Sequence, residues 1–311
     1  MTAWESLAEP IDPGASLPAG RSVDGGNAPA EPPFALRRAE GQPCPFVFAS
    51  PHSGRDYPAE LMDAALLDGA AIRRSEDAFV DELIGSAPSS GISLLTARYA
   101  RAFIDVNREA YELDQAMFED ELPPFARART ARVAAGLGTI ARVVGEGQEI
   151  YHRKLTFAEA RTRIEAVHQP YHAALASLLQ ETRAAHGRAA LIDWHSMPSA
   201  ASGEPAYGRK GCDMVLGDRF GSACAPGLTR LVERELEAMG YRVARNAPYA
   251  GGYTTEFYGR PDDGVHALQI EINRAVYLDE AALKPTAGFA RLKRDLDRLC
   301  AALARDWRKA F

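Results

Sequence analysis

Short apolar runs that alternate with amphipathic segments limit the folds open to this chain more than any other feature of its sequence. Apolar runs bounded by turn residues predict strands over residues 44–50, 92–97, 99–106, 188–194, 213–217, 241–245 and 265–272. Helical spacing occupies residues 75–87, 157–185, 226–239 and 284–307, and Pro170 is expected to kink or break the second of these helices. Because strands that alternate with helices build βαβ units, we predict a three-layer α/β fold with a mainly parallel or mixed central sheet and helices on both faces.

Two stretches depart from this alternation. Residues 1–33 are rich in proline, glycine, alanine and serine, a composition that predicts a flexible lead-in. The rest, 34–311, is expected to form a single α/β domain. Within it, the segment 110–155 is irregular and glycine-containing, and we expect an insertion beside the functional site.

Charge and composition exclude several classes of partner. The formal net charge of −6 argues against broad binding to nucleic acid or acidic membranes, and no apolar run approaches the roughly 18 residues of a membrane span. A small anionic substrate remains compatible, since a few arginines in a cleft reverse the local field. The four cysteines lack CxxC spacing and no secretory signal is visible, so we expect a cytoplasmic protein with reduced thiols, as a monomer or homodimer.

Unusual polar residues follow several of the predicted strands, where open α/β sheets build their sites. The stretches are PHSG at 51–54, SEDAFVDEL at 75–83, RAFIDVNR at 101–108, DWHSMP at 193–198 and GVHALQIEINR at 264–274.

His52 and His195 suggest a metal site, because each follows a run expected to be a central strand and both would emerge at one edge of the sheet. A catalytic zinc takes three protein ligands and keeps one open position. The third ligand could be Glu76, Asp77 or Asp81, of which Asp77 and Asp81 would share one helix face. The alternative is a pair of hydrogen-bonded histidines and an acidic first helical turn that need no metal.

Glu271 is a candidate general base. Alternation places Leu268, Ile270 and Ile272 on one face of the last strand and Glu271 off it, and a buried glutamate is costly unless it is paired or working. Near a metal it could take a proton from water and pass it to a leaving nitrogen. The alternative is a buried salt bridge to an arginine.

Arginines and serines complete the set of candidates. Guanidinium groups bind carboxylates through paired hydrogen bonds, so Arg101, Asn107 and Arg108 suit an amino-acid-like substrate, and Arg55 is a further anion contact. The alternative is ordinary solvated arginines. Serine catalysis by Ser53 or Ser196 is disfavoured, because neither GxSxG nor SxxK occurs and adjacent residues on an extended chain point opposite ways.

Taken together, these stretches resemble the N-formylglutamate amidohydrolase family over about residues 44 to 285. The resemblance runs through PHSGRDYP, EDAFVDEL, YARAFIDVNR, HQPYHAAL, LIDWHSMP, NAPYAGGYTTEFYG and GVHALQIEINRAVYLDE. The family is similar in fold to the zinc-dependent exopeptidases, which use two histidines and one carboxylate on zinc.

The resemblance implies roles for individual residues. It implies His52 and His195 as zinc ligands and Glu271 as the base, with Arg101 polarising the scissile carbonyl. Asn107 and Arg108 would clamp the substrate carboxylate, and His172 and Asn246 are candidates for pocket walls, with helix packing and a turn as the alternatives. One departure matters: where the exopeptidases have a carboxylate ligand three residues after the first histidine, this chain has Arg55, so we expect Asp77, in preference to Glu76, as third ligand.

The resulting expectation is a zinc-dependent amidohydrolase that converts N-formyl-L-glutamate to formate and L-glutamate, the end of one route of histidine degradation. Two alternatives stay open: a related deacylase or carboxypeptidase for a different acyl group, and a binding protein of the same fold without turnover. A competent base at Glu271 speaks against the binding protein.

Overall fold

A computed structural model describes residues 31–203 and 211–311 of the chain, and within them a seven-stranded mixed sheet forms the centre. Its strand order is β1-β3-β2-β4-β7-β5-β6; β1 runs antiparallel to β3 and β5 antiparallel to β7, while the other neighbours are parallel. The strands are β1 Phe34–Arg37, β2 Phe46–Ser50, β3 Ser93–Ala97, β4 Ala189–Met197, β5 Met214–Gly217, β6 Val243–Arg245 and β7 Val265–Asn273. A separate short pair follows, β8 Leu278–Asp279 with β9 Lys284–Pro285.

Helices cover both faces of the sheet, which confirms the predicted three-layer α/β fold. They are α1 Ala59–Ala64, α2 Gly69–Ile72, α3 Val80–Leu83, α4 Ala131–Ala134, α5 Phe157–Arg163, α6 Gln169–His186, α7 Pro226–Ala238, α8 Tyr253–Tyr258 and α9 Ala287–Asp306. Apolar residues of α5 and α6 pack on one face, and those of α3, α7 and α9 pack on the other. Alternate residues of each central strand enter the two cores, as Val47 and Phe48 of β2 do.

The pairing of β4 with β7 places the functional segments side by side. The two strands run parallel over nine residues each, all buried, from Ala189 opposite Val265 to Met197 opposite Asn273. A strand buried on both faces by helices reads as a nearly continuous apolar run, so a polar residue inside it stands out. In this register His195 lies opposite Glu271.

Two predicted elements differ from the structure. Residues 99–106 are not a strand. They form tight turns buried in the core on the α5 and α6 side of the sheet, where Ala100 O accepts from the amides of Phe103 and Ile104. The predicted helix 75–87 shrinks to α3, because Phe79 adopts a left-handed φ of 63° at its start. Asp77 therefore lies in a turn before the helix and does not share a helix face with Asp81.

The long helix around Pro170 contains a π-turn and does not break at the proline. A π-turn over Ile164–His168 joins α5 to α6, and Pro170 sits in the first turn of α6. A proline has no backbone N–H to donate to the preceding turn, and its ring clashes with a carbonyl of that turn. The wider π-turn relieves both problems.

The predicted lead-in 1–33 lies almost wholly outside the described residues, and the division into one domain stays a prediction. Across the residues described, no helix combines the length and the apolar composition needed to cross a membrane.

Candidate active site

A cavity of about 610 Å³ opens where β2, β4 and β7 end. The predicted metal ligands and Glu271 line it together with two loops, one at residues 248–252 and one within 132–147. The second loop belongs to the irregular segment 110–155, so that segment borders the cavity, as expected.

Three ligand atoms converge at the floor of the cavity. His195 Nδ1 lies 3.0 Å from His52 Nδ1 and 3.0 Å from Asp77 Oδ2, and His52 Nδ1 lies 3.4 Å from the same oxygen. His52 follows β2, Asp77 belongs to the turn before α3, and His195 is part of β4. All three side chains are buried, and the three atoms could hold a metal ion.

A buried carboxylate faces the outer nitrogen of each histidine. Asp105 Oδ1 lies 2.7 Å from His52 Nε2, and Asp193 Oδ2 lies 3.0 Å from His195 Nε2. Asp193 is fully buried and neither of its oxygens has a hydrogen-bond partner in good geometry among the described residues, so its effect on the ring is one of charge.

These carboxylates determine which ring nitrogen of each histidine carries the proton and which one presents a lone pair to the floor of the cavity. A negative charge at Nε2 favours the proton on that atom, which leaves Nδ1 of both rings unprotonated when the rings are neutral. Two imidazole lone pairs and a carboxylate oxygen then face one another at close range and repel unless a cation lies between them. This donor set fits a divalent metal.

Asp77 is held in place by its own partners. Its Oδ1 accepts from Arg274 Nη2 at 3.1 Å and from Ser196 Oγ at 3.3 Å, and its backbone amide donates to His52 O. Burial opposes ionisation, but the contacts with His195 and His52 hold the pKa of the Asp77 carboxyl well below its ordinary value.

The neighbouring Glu76 is not part of this cluster. Its carboxylate accepts from Tyr57 Oη and from Arg73 Nε instead. Of the carboxylates considered from the sequence, Asp77 is the one that meets both histidines.

Glu271 stands beside the three ligands with its carboxylate oriented from within the sheet. Gln269 Nε2 donates to Glu271 Oε1 at 2.8 Å, and the Gly252 amide donates to Gln269 Oε1 at 2.7 Å. Its donor among the described residues is thus an amide and not the arginine of the salt-bridge alternative. Burial raises the pKa of Glu271 to about 7, with Asp77 adding to the rise.

Arginines give the cavity a positive wall: Arg74, Arg101, Arg108, Arg132 and Arg274. Arg101 Nη2 donates to Asp105 Oδ2 at 2.7 Å. Arg108 donates from Nε to Leu137 O and from Nη1 to Asn107 O, both at 2.7 Å. A cavity so lined suits an anionic substrate.

Asn107 also lines the cavity, but its amide already has protein partners. Its Oδ1 accepts from the Thr254 amide at 2.8 Å, and its Nδ2 lies 3.1 Å from His195 Nε2. With the proton on His195 Nε2, the contact to Asn107 Nδ2 brings two donors together and is not a hydrogen bond, so the Thr254 bond is what fixes Asn107 beside His195. The clamp on a substrate carboxylate stays a prediction.

Three predicted substrate contacts lie elsewhere. Arg55 is outside the cavity, in ion pairs with Asp81 and Glu82. His172 is buried behind the cavity wall, where its Nδ1 meets Tyr258 Oη and its Nε2 meets Val106 O, both at 2.8 Å.

Asn246, the third, caps a turn, since its Oδ1 accepts from the amides of Asp218 and Phe220. For His172 and Asn246 the structure thus supports the alternatives of packing and turn formation. The serine hydroxyls are also engaged away from a histidine base: Ser53 with Ser50, and Ser196 with Asp77 and Arg274.

Several site residues were not singled out from the sequence. They are Asp193, Gln269 and Arg274. For the first two a signal exists, because Asp193 precedes His195 by two residues and Gln269 precedes Glu271 by two, so each pair shares one face of a strand. No local signal marks Arg274, whose partner Asp77 is distant in sequence.

Comparisons with known proteins place the chain among related sequences and structures. The sequence model of the N-formylglutamate amidohydrolase family matches residues 44–278. The chain is 31% identical over 242 residues to the N-formylglutamate deformylase of Pseudomonas aeruginosa, covering 76% of this chain and 84% of that protein. The crystal structure of N-formylglutamate amidohydrolase from Ralstonia eutropha JMP134 is similar with a TM-score of 0.84 and 39% identity, covering 90% of this chain and 99% of the other. A gene product of Agrobacterium tumefaciens shares the fold at 18% identity, with a TM-score of 0.59, covering 88% of this chain and 96% of the other.

Proposed function

Because this chain belongs to the N-formylglutamate amidohydrolase family, we propose that it hydrolyses N-formyl-L-glutamate to formate and L-glutamate. The family match spans residues 44–278, about three quarters of the chain, and includes the residues that line the floor of the cavity. The observation that carries the mechanism is the convergence of His52, Asp77 and His195 beside Glu271 in a cavity with arginine walls.

The proposed cofactor is zinc, held by His52 Nδ1, Asp77 Oδ2 and His195 Nδ1. A bound zinc supplies Lewis acidity, which polarises an oxygen ligand and lowers the pKa of water. Two imidazoles and one carboxylate are a ligand set found in catalytic zinc sites. Asp105 fixes the orientation of the His52 ring, Asp193 favours the proton on His195 Nε2 by its charge, and Arg274 and Ser196 hold Asp77.

Glu271 acts as the proton carrier. A carboxylate with a pKa near neutrality accepts a proton from the attacking water and later returns it to the leaving amine nitrogen. Gln269 holds one of its oxygens, which leaves the other oxygen available for the proton. In this scheme the water oxygen bonds to the formyl carbon, the C–N bond breaks, and the proton from Glu271 neutralises the departing nitrogen.

Arginines bind the substrate and stabilise charge. Arg101 lines the cavity together with the proposed metal ligands and Glu271, and its Nη2 binds Asp105 Oδ2 at 2.7 Å, which supports a position near the reacting carbonyl. It stabilises the negative charge that develops on the formyl oxygen. Arg108, fixed by two backbone carbonyls, binds the α-carboxylate of the substrate and orients it.

The test combines metal analysis with an assay of formate release. Purified wild type is expected to contain about one zinc per chain and to lose activity when a chelator removes it. Glu271→Gln keeps the metal but loses its proton acceptor, so kcat should fall by about 10²–10⁴-fold with unchanged metal content.

The matched control is Glu237→Gln, which makes the same chemical change at an exposed position of α7 and should leave kcat unchanged. Full activity of Glu271→Gln would refute the assigned base. Full activity of metal-free protein would refute the whole mechanism. Release of acetate from N-acetylglutamate at a higher kcat/KM than formate would assign a different acyl group.

A further inference from the structure

Arg132 is the arginine of the cavity whose side chain is least engaged with the protein among those whose contacts are described. It belongs to α4, within the irregular segment that borders the cavity, and 31% of its side chain is exposed. Its nearest carboxylate oxygen, Glu112 Oε2, lies 3.8 Å from Nη1, beyond hydrogen-bond distance. Its guanidinium donors are therefore available to a bound anion.

Glu112 provides a fixed negative charge behind Arg132. The Glu112 side chain is 4% exposed, its Oε1 accepts from the Thr130 hydroxyl, and its Oε2 has no hydrogen-bond partner among the described residues. A buried carboxylate that keeps one oxygen free attracts the guanidinium, and its burial prevents it from entering the cavity itself. Glu112 thus holds Arg132 at the cavity wall without consuming its donors.

Contacts connect the three arginines Arg101, Arg108 and Arg132. Asp105 Oδ2 accepts from Arg101 Nη2 at 2.7 Å, and the same oxygen lies 3.8 Å from Arg108 Nη2. Arg108 Nε donates to Leu137 O at 2.7 Å, and the Leu137 amide donates to Arg132 O at 2.8 Å. Arg108 therefore lies beside both the Asp105 carboxylate that binds Arg101 and the segment that carries Arg132.

The wall beside Arg132 is apolar. Short aliphatic side chains of the same segment line the cavity there: Ala135, Leu137, Ala141, Val143 and Val144. N-formylglutamate carries two carboxylates joined by a short methylene chain, so it needs two separate cationic positions with apolar surface between them. Arg108 and Arg132, with this wall, provide that arrangement.

We propose that Arg132 binds the side-chain carboxylate of the substrate and thereby selects acidic over neutral N-formyl amino acids. The inference rests on the proposed deformylase function and assigns Arg132 as its specificity-determining residue. Arg108 then binds the α-carboxylate, which every N-formyl amino acid shares, and Arg132 binds the group that distinguishes glutamate from glutamine.

The experiment compares kcat/KM for N-formyl-L-glutamate and N-formyl-L-glutamine, which differ in charge but hardly in shape. Wild type should prefer the glutamate substrate, and Arg132→Met should lower its kcat/KM by about 30-fold while leaving the glutamine substrate unchanged. The matched control is Arg129→Met, which removes an arginine from an exposed position three residues earlier, outside the cavity lining, and should keep the preference.

A second variant and a second measurement separate recognition from folding. Arg132→Lys keeps a cation beside the buried Glu112 but loses the planar fork, so it should reduce the preference by about 5-fold without abolishing it. Binding of L-glutamate and L-glutamine, measured by calorimetry, should show the same loss in Arg132→Met for glutamate alone.

Distinct outcomes separate this inference from the function on which it rests. If kcat/KM falls equally for both substrates, or does not fall in Arg132→Met or Arg132→Lys, then the role of Arg132 is overturned while the deformylase function stands. Wild type that hydrolyses both substrates equally well does the same. Wild type that releases no formate from either substrate refutes the proposed function itself.

Discussion

Each histidine of the candidate metal site faces a buried carboxylate, and the two carboxylates come from different parts of the chain. Asp105 faces His52 and also binds Arg101 Nη2 and the Asn107 amide, so one buried side chain aligns three site residues. Asp193, two residues before His195 on β4, places its negative charge next to His195 Nε2. Such partners set which ring nitrogen carries the proton and raise the basicity of the nitrogen that binds the metal.

Asp193→Asn is expected to weaken zinc binding by about 10–100-fold. The amide keeps the size of the side chain but removes the charge that favours a proton on His195 Nε2, so Nδ1 loses part of its lone-pair character. The zinc dissociation constant, measured by competition with a chromophoric chelator, checks this. Asp306→Asn, the same change at the end of α9 far from the cavity, should bind zinc like wild type, and equal affinity in both variants would contradict the role of Asp193.

The residues of the candidate site that lie within a strand or directly after one could be predicted from the sequence. His52, His195 and Glu271 interrupt or end apolar runs, and that interruption is visible without a structure. The expected preference for Asp77 over Glu76 agrees with the geometry, but no local pattern separates the two adjacent residues, since the turn before α3, which contains the left-handed Phe79, decides which carboxylate meets the histidines. The contacts of Asn107 were not predictable either, since Thr254 and His195 come from distant segments.

At the scale of elements, the segment that carries Asp105, Asn107 and Arg108 needs support from outside, because it is buried but belongs to no strand or helix. Two histidines near the start of the long helix supply it: His172 Nε2 bonds Val106 O, and His168 Nε2 bonds Arg108 O, each at 2.8 Å. Buried carbonyls must find donors, and these two rings provide them. His168 is the last residue of the π-turn, so this irregularity before Pro170 also orients the His168 ring toward Arg108 O.

The difference between strands and a segment that is supported from outside explains which elements could be predicted from the sequence. The central strands β2, β4 and β7 have nearly continuous apolar runs, and their prediction was correct within a few residues. Residues 99–106 carry the same apolar character, but their backbone groups bond within a turn and to distant segments: the Asp105 amide donates to Thr139 O, and Val106 O bonds to His172 Nε2. Apolar content measures burial, and burial alone does not distinguish a strand from a packed turn.

The loop at residues 248–252 is coupled to the strand β7 through Gly252, and this coupling gives a second prediction. A Cβ at Gly252 would lie 2.6 Å from Asn107 Nδ2, and the Gly252 amide also binds the Gln269 that orients Glu271. Gly252→Ala should therefore displace both His195 and Glu271 from their positions and lower kcat by about 100-fold. Formate release under saturating substrate and zinc measures this.

The control for Gly252→Ala is Gly69→Ala at the start of α2, where an added methyl group meets nothing within 4 Å. It should retain wild-type kcat. If Gly252→Ala also retains it, then the loop does not position the two side chains.

At the scale of the whole molecule, the site occupies one end of a sheet whose two faces are closed by separate apolar cores. The polar groups cluster at the carboxyl ends of β2, β4 and β7, while the cores are built from alternate strand residues and helix faces. Burial of that apolar surface supplies the main driving force for folding. Buried ionisable residues then contribute to how the stability of the fold responds to pH.

Acid should destabilise the fold through histidines that are buried in the neutral form. Burial lowers the pKa of His168, His172 and His266, the last to about 4, with the charge of Arg188 adding to the effect on His266. The unfolded chain takes up these protons at the ordinary value of 6.5, before the folded protein does. The stabilising contribution is therefore present above about pH 6.5 and is lost as the pH falls toward 4.

His266→Gln isolates one of these groups, at the end of the sheet opposite the cavity. Its Nδ1 accepts from the Ala225 amide, a bond that the glutamine oxygen can replace without titrating. Between about pH 7 and about pH 4 the free energy of unfolding of wild type should fall by about 1–2 kcal/mol more than that of the variant, after screening by solvent. Urea denaturation at the two pH values measures this difference. The control His152→Gln, at an exposed position, should lose as much stability as wild type over this pH range. If His266→Gln also loses as much as wild type, then the fold does not hold His266 neutral.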